Sequence, residues 1–178
     1  VYKRQDLWSG KYGTDYTHNM REAGAGDLLD VAFEHPISLF VNALGVPPQS
    51  VIERCRDRDI AVGALTGARE HALKHAAAGV DILVVSGTEA GGHCGEISTM
   101  VVVPDVIDAV KDYDDIHVLA AGGIATGRQM AACMAMGAAG AWCGSVWLTT
   151  AEAETTPTVK QKMLQASSRN TVRSRSRT

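Results

Sequence analysis

His93 sits in the run Ser86-Gly87-Thr88-Glu89-Ala90-Gly91-Gly92-His93-Cys94-Gly95-Glu96. An imidazole has an unperturbed pKa of ~6.5 and exchanges protons near neutrality. Glycines lack side chains, so a flat ligand or its phosphate can approach the backbone. The run follows Ile82-Leu83-Val84-Val85, an apolar stretch that reads as a buried parallel strand. Strand ends of this kind are where α/β enzymes keep their chemistry. The bland alternative is a loop histidine that only binds backbone; the surrounding glycines favour a ligand. Cys94 beside His93 suggests a Cys–His nucleophile pair, but adjacent loop residues usually point apart. Glu89 reads as a structural residue that orients the loop or binds backbone N–H groups.

A second signal follows roughly 30 residues on, the spacing of a βα unit. His117-Val118-Leu119-Ala120-Ala121 runs into Gly122-Gly123-Ile124-Ala125-Thr126-Gly127, then a helical stretch from Arg128 to Met136 closed by Gly137. Ala141-Trp142-Cys143 then leads into Gly144-Ser145. Strand, Gly-Gly, helix, short strand, Gly-Ser is the pattern of a phosphate cradle on two consecutive loops. His18, His35, His71, His75 and His117 show no metal-ligand grouping. His71 and His75 are four apart on a helix without a third ligand, so both are expected to be exposed and no metal site is expected.

The elements that must position these loops alternate from Ile37 onward. Ile37–Val41, Ala61–Leu65, Ile82–Val85, Val118–Ala121 and Ala141–Cys143 read as strands. Pro47-Pro48 opens the first intervening helix, with Val51, Ile52 and Cys55 inward. Thr66 is expected to cap the next helix and Gly79 to end it; Ala68, Ala72, Leu73, Ala76 and Val80 form its apolar side. A third helix is expected from Pro104 to Val110, and Met130, Met134 and Met136 are expected in the core or in helix–barrel packing. Alternation of this kind predicts parallel pairing with right-handed crossovers. The fold class is α/β, a (β/α)8 TIM-barrel type. A complete barrel takes ~250 residues, so about five βα units of an incomplete barrel are expected.

The chain of 178 residues is 46% hydrophobic and 21% charged, which suits one globular domain over residues 1–178. Residues 1–34 offer no strand–loop unit of similar quality, although Trp8, Tyr12 and Tyr16 could pack or form a lid. Residues 165–178 form a basic tail with Arg169, Arg173, Arg175 and Arg177, read as solvated. A net charge of −3 gives no case for nucleic acid. No apolar run approaches the ~18 residues of a membrane span. Cys55, Cys94, Cys133 and Cys143 form no C-x-x-C pair, which points to a reducing, cytoplasmic compartment.

Together these residues resemble a known family. The loop Ser86–Glu96, with Ser98-Thr99-Met100 after it, resembles the E-A-G-G-H loop of nitronate monooxygenases. Ala120–Gly127 resembles their flavin phosphate loop, and Gly144–Thr150 the segment after the last barrel strand. The resemblance covers residues 34–177 and makes the chain look like the last five strands of a barrel. It lacks the family's Pro-rich, Ala-Pro-Met type segment before Ile37. The resemblance implies an FMN-dependent oxidoreductase that oxidises alkyl nitronates or nitroalkanes with O2 to a carbonyl compound and nitrite. It implies His93 as the base that removes the α-proton of a neutral nitroalkane and Gly92 as the loop glycine near the flavin. Ala121, Gly122 and Gly123 would form the first phosphate loop, and Gly144 and Ser145 the second. Thr66 would lie at a strand end facing the flavin. The partners implied are a small-molecule substrate and O2; homo-oligomer formation is left open. A flavin-dependent enoyl-thioester (enoyl-ACP) reductase shares a very similar loop and is the alternative enzyme; a non-catalytic barrel fragment is the third reading.

Overall fold

The computed structural model describes residues 22–92 and 94–172. His93, Trp8, Tyr12, Tyr16, His18, Arg173, Arg175 and Arg177 therefore lie outside the described residues. The chain divides into two compact units, Val1–Leu39 and Phe40–Thr178. In the first, helix α1 spans Glu22–Phe33, within the segment where the sequence offered no strand–loop unit.

From Leu39 onward strands and helices alternate: β1 (Leu39–Asn42), α2 (Gln49–Arg56), β2 (Ala61–Thr66), α3 (Arg69–Ala78), β3 (Ile82–Ser86), α4 (Thr99–Val110), β4 (His117–Ala121), α5 (Gly127–Ala135) and β5 (Gly140–Trp142). A 3-10 turn, Ser145–Thr149, and helix α6, Pro157–Gln165, follow. The sheet order is β1-β2-β3-β4-β5, and β2, β3, β4 and β5 pair in parallel. A doubly wound sheet reverses its order at a switch point. A strictly sequential order is that of a (β/α)8 barrel, here represented by five of its strands.

The register separates the two faces of the sheet. Ala64 pairs with Leu83 and Leu83 with Val118, while Thr66 pairs with Val85 and Val85 with Ala120. All six are 5% exposed or less, because α2–α5 pack on this face. Opposite them, Leu65, Ile82 and Leu119 are only half-buried, and Trp142 is 39% exposed. That is the face a closed barrel turns inward. The helix side completes the core with Ile52, Cys55, Val102, Val103 and Val106, each 1% exposed or less. Full burial of such an aliphatic side chain contributes roughly 1.5–3 kcal/mol.

Four local expectations are corrected. Helix α4 begins at Thr99 rather than Pro104, which lies inside it. The proline's missing N–H leaves the Met100 carbonyl without its helical donor, and Met100 is at an exposed turn that water can reach. Thr66 does not cap α3: it is the last residue of β2, its Oγ1 donates to the Ala68 carbonyl at 3.1 Å, and Ala68 holds the cap position. His75 is buried, 2% exposed, although His71 is exposed as expected. Met130 and Met134 are 42% and 49% exposed, so they are not core residues. Gly79 does end α3, in the left-handed region at φ +86°, where glycine carries no Cβ penalty.

Candidate active site

The parallel register brings four strand ends to one rim. Thr66 stands beside Val85, Ser86 beside Ala121, and Ala121 beside Trp142. The loop after β3 is the centre of this rim, and it touches the turn after each of the other three strands. Behind β2, Gly95 packs backbone to backbone on Gly67: a Cβ added to Gly95 would stand 2.8 Å from the Gly67 carbonyl oxygen. Behind β4, a Cβ on Gly122 would stand 2.8 Å from the Ala90 nitrogen, and one on Gly123 would stand 3.1 Å from Glu89 Cβ. Behind β5, a Cβ on Gly91 would stand 3.3 Å from Ser145 Oγ. Contacts this close exclude side chains, which is why the loop is built from glycines.

Inside the loop, Ala90 N–H donates to the Gly87 carbonyl at 3.1 Å and Thr88 N–H to the Ile97 carbonyl at 2.9 Å. Gly87 N–H reaches across to the Ala121 carbonyl at 3.3 Å. The Cys94 thiol faces the Thr88 carbonyl at 3.7 Å, turned back on its own loop. The Glu89 carboxylate accepts from Thr99 N–H at 2.9 Å, Thr99 Oγ1 at 2.8 Å and Thr88 Oγ1 at 3.2 Å. Partial burial works against ionising Glu89, but these donors outweigh it and hold the carboxyl below the ordinary carboxylate range. His93 belongs to this loop by sequence and lies outside the described residues.

The turn after β4 is fixed by a capping box that the sequence reading missed, although Thr126-x-x-Gln129 carries its signature. Gln129 Oε1 accepts from Ala125 N–H at 2.9 Å and Thr126 N–H at 3.0 Å, and Gln129 Nε2 donates to the Gly123 carbonyl at 2.6 Å. Those two amides are therefore spent. The amides of Gly123, Ile124, Gly144 and Ser145 donate to no acceptor among the described residues. Gly92, at φ +74°, and Gly144 both have open space where a Cβ would be. Unspent amides on two neighbouring turns, beside open backbone, are what an anionic group requires. The Thr66 side chain is buried on the helix-packed face, with its hydroxyl engaged by Ala68. Among the described residues no group of three or more His, Cys, Asp or Glu is placed to hold a metal ion, and no helix is long and apolar enough to cross a membrane.

Fold and rim define a barrel-type βα domain with glycine-built turns and unspent amides at the carboxyl ends of its strands. A profile of the nitronate monooxygenase family matches residues 9–177, and the chain belongs to that family. A provisionally named monooxygenase of Mycobacterium tuberculosis is 61% identical over 155 residues, covering 87% of this chain and 40% of that protein. The nitroalkane oxidase of Streptomyces ansochromogenes is similar in structure, with a TM-score of 0.71 at 33% identity, over 79% of this chain and 43% of that one. FabK of Thermotoga maritima matches with a TM-score of 0.75 at 34% identity, over 83% and 46% of the two chains. The chain thus spans about 40% of the curated relative's length. The family is one of flavin-dependent oxidoreductases. The unspent amides and the open backbone at Gly92 and Gly144 fit the phosphate end of such a cofactor.

Proposed function

We propose that this chain forms the FMN-binding and substrate-activating part of a nitronate monooxygenase. The reaction would convert alkyl nitronates, or the nitroalkanes that yield them, with O2 into a carbonyl compound and nitrite. The observation that carries this reading is the position of the β3 loop, which packs against Gly122 and Gly123 on one turn and Ser145 on the next.

FMN, when bound, supplies the electron acceptor for carbon oxidation and the reaction with oxygen. The chain's own residues bind and move a proton. The amides of Gly123, Ile124, Gly144 and Ser145 would hold the phosphate. Gly92 would leave room over the loop for a flat ring, and Thr66 and Ala121 would wall the site through their backbones. His93 would take the α-proton of a neutral nitroalkane at an imidazole nitrogen, the nitro group making that carbon acidic. A positioned base of this kind contributes ~10²–10⁴-fold. The four unpaired cysteines support a cytoplasmic location.

The test is oxygen uptake by the FMN-loaded protein with a preformed nitronate and with its neutral nitroalkane. The expected result is uptake with both, and loss of the nitroalkane activity in His93→Ala with the nitronate activity kept. The second reading, an FMN-dependent enoyl-thioester reductase, rests on the same loop motif and predicts NAD(P)H consumption with an enoyl thioester instead. A colourless protein that binds no FMN would defeat both readings and leave a non-catalytic piece.

A further inference from the structure

We propose that Glu89 is a positioning residue, whose carboxylate clamps on Thr99 and so holds the loop carrying His93 against the Gly122-Gly123 turn. This rests on the reading of His93 as the base. Glu89 lies four positions before His93, and Thr99 lies six positions after it. The carboxylate therefore closes the loop with His93 between its two anchors. The closure is made twice by one oxygen, from the Thr99 N–H at 2.9 Å and the Thr99 hydroxyl at 2.8 Å.

Thr99 is the first residue of α4, and Ser98 at the cap position makes no side-chain cap bond. Glu89 therefore supplies the acceptor that a helix N-terminus needs, and its negative charge suits the helix dipole. The same Thr99 is 8% exposed, and its Oγ1 stands 3.4 Å from the carbonyls of Ala121 and Gly122. Gly87 has no room for a side chain because Thr99 fills that space. Thr99 thus packs against the Gly122 turn, its one hydroxyl proton given to Glu89, and Glu89 is fixed to Thr99. Glu89 Cβ also lies against Gly123, where a side chain would approach to 3.1 Å. The loop that bears His93 and the turn that bears the unspent amides share one anchor.

Glu89→Ala removes the acceptor. The expected result is a fall of roughly 10²-fold in kcat/KM for a neutral nitroalkane, the effect of a misplaced reacting group. Turnover of a preformed nitronate, which needs no base, is expected to stay at the parent's level, as is FMN affinity measured by fluorescence, because Gln129 still holds the Gly123 carbonyl of that turn. Glu89→Gln keeps an acceptor oxygen and is expected to restore nitroalkane turnover. Hydrogen exchange of the segment 87–99 in the FMN-loaded protein is expected to quicken in Glu89→Ala and to return in Glu89→Gln. If Glu89→Ala does not fold, Thr99→Val, which removes only the hydroxyl donor, is read in the same way. Parallel loss of nitroalkane and nitronate turnover, or a Gln variant as poor as the Ala variant, overturns the clamp. If the parent turns over neither substrate, the proposed function has failed; the exchange data then still decide the clamp, unchanged protection in the Ala variant overturning it.

Discussion

Gly91 and Ser145 stand side by side, close enough that a Cβ on Gly91 would lie 3.3 Å from Ser145 Oγ. They belong to the turns after β3 and β5, and β4 runs between those strands. The β3 loop therefore crosses the Gly122-Gly123 turn to reach the next one. An anionic group held by amides on both turns would lie beneath a loop already in contact with each. The glycines along this path then differ sharply in what a side chain would meet, and that difference is testable.

Gly122→Ala is expected to cost ~1–3 kcal/mol of stability. Gly122 is at φ +104°, and its Cβ would press on Ala90 N at 2.8 Å. Gly127→Ala is the control: Gly127 opens α5 with nothing within 4 Å of its Cβ position. Removing a glycine there is expected to be neutral or to stabilise by ~0.4–1 kcal/mol. Thermal melts and FMN titration of the two variants check this. Equal melts would mean that the β3 loop does not press on the Gly122 turn.

Gln129→Ala is expected to destabilise the protein by ~1 kcal/mol, the usual cost of a lost cap. FMN affinity is expected to fall with it, because Gln129 also holds the Gly123 carbonyl at 2.6 Å. Thr126→Ala removes the other half of the box. The double variant is expected to lose less than the sum of the two, since they share one network. Additive losses in a double-mutant cycle would show that the box does not act as a unit.

Much of this arrangement was legible in the sequence because it is local. Ile82–Ser86 is an apolar run rich in β-branched residues that ends at Gly87, and that pattern fixes both the strand and where its loop leaves it. The errors arose where a partner is distant in sequence. Pro104 looked like a helix start, but the true N-terminus at Thr99 is capped by Glu89, ten residues earlier. His75 looked exposed because a histidine on an alanine-rich helix carries no core signal. Its burial follows from the packing of α3 on β2, which no window of sequence reports. The mutual contacts of the glycines could be guessed only as turns; which turn meets which is a property of the sheet register.

The four thiols are expected to divide into two classes in a thiol-titration time course. Cys55 and Cys133 are 0% and 5% exposed. Burial raises both thiols above the ordinary range; Arg54 and Arg58 partly counter this at Cys55, while Cys143 adds to it at Cys133. Less thiolate and no access mean slow reaction. Cys94 and Cys143 are half-buried on the rim. Two thiols are expected to react in the native state and two only on unfolding, and rim labelling is expected to slow when FMN is bound. Four equally fast thiols would contradict the packing of α2 and α5.

His75 gives the chain a stability that depends on pH. The imidazole is 2% exposed and its Nδ1 has no hydrogen-bond partner. Burial lowers its pKa below the ordinary 6.5, nearby His71 lowers it further, and a hydrogen bond with the Leu65 backbone opposes them. As pH falls through 6.5, the unfolded chain takes up a proton that the folded chain refuses. The unfolded state then binds more protons, so stability falls with acid until the lower folded pKa is reached. Well above 6.5 both states are neutral and His75 contributes no slope. Urea melts at a series of pH values should therefore show a decline below neutrality beyond that due to carboxylates. His75→Gln, which keeps a polar side chain able to reach Leu65 but does not titrate, should flatten the decline between about pH 7 and pH 5. A variant with the parent's slope in that window would mean that the protonated imidazole is accommodated between α3 and β2 after all.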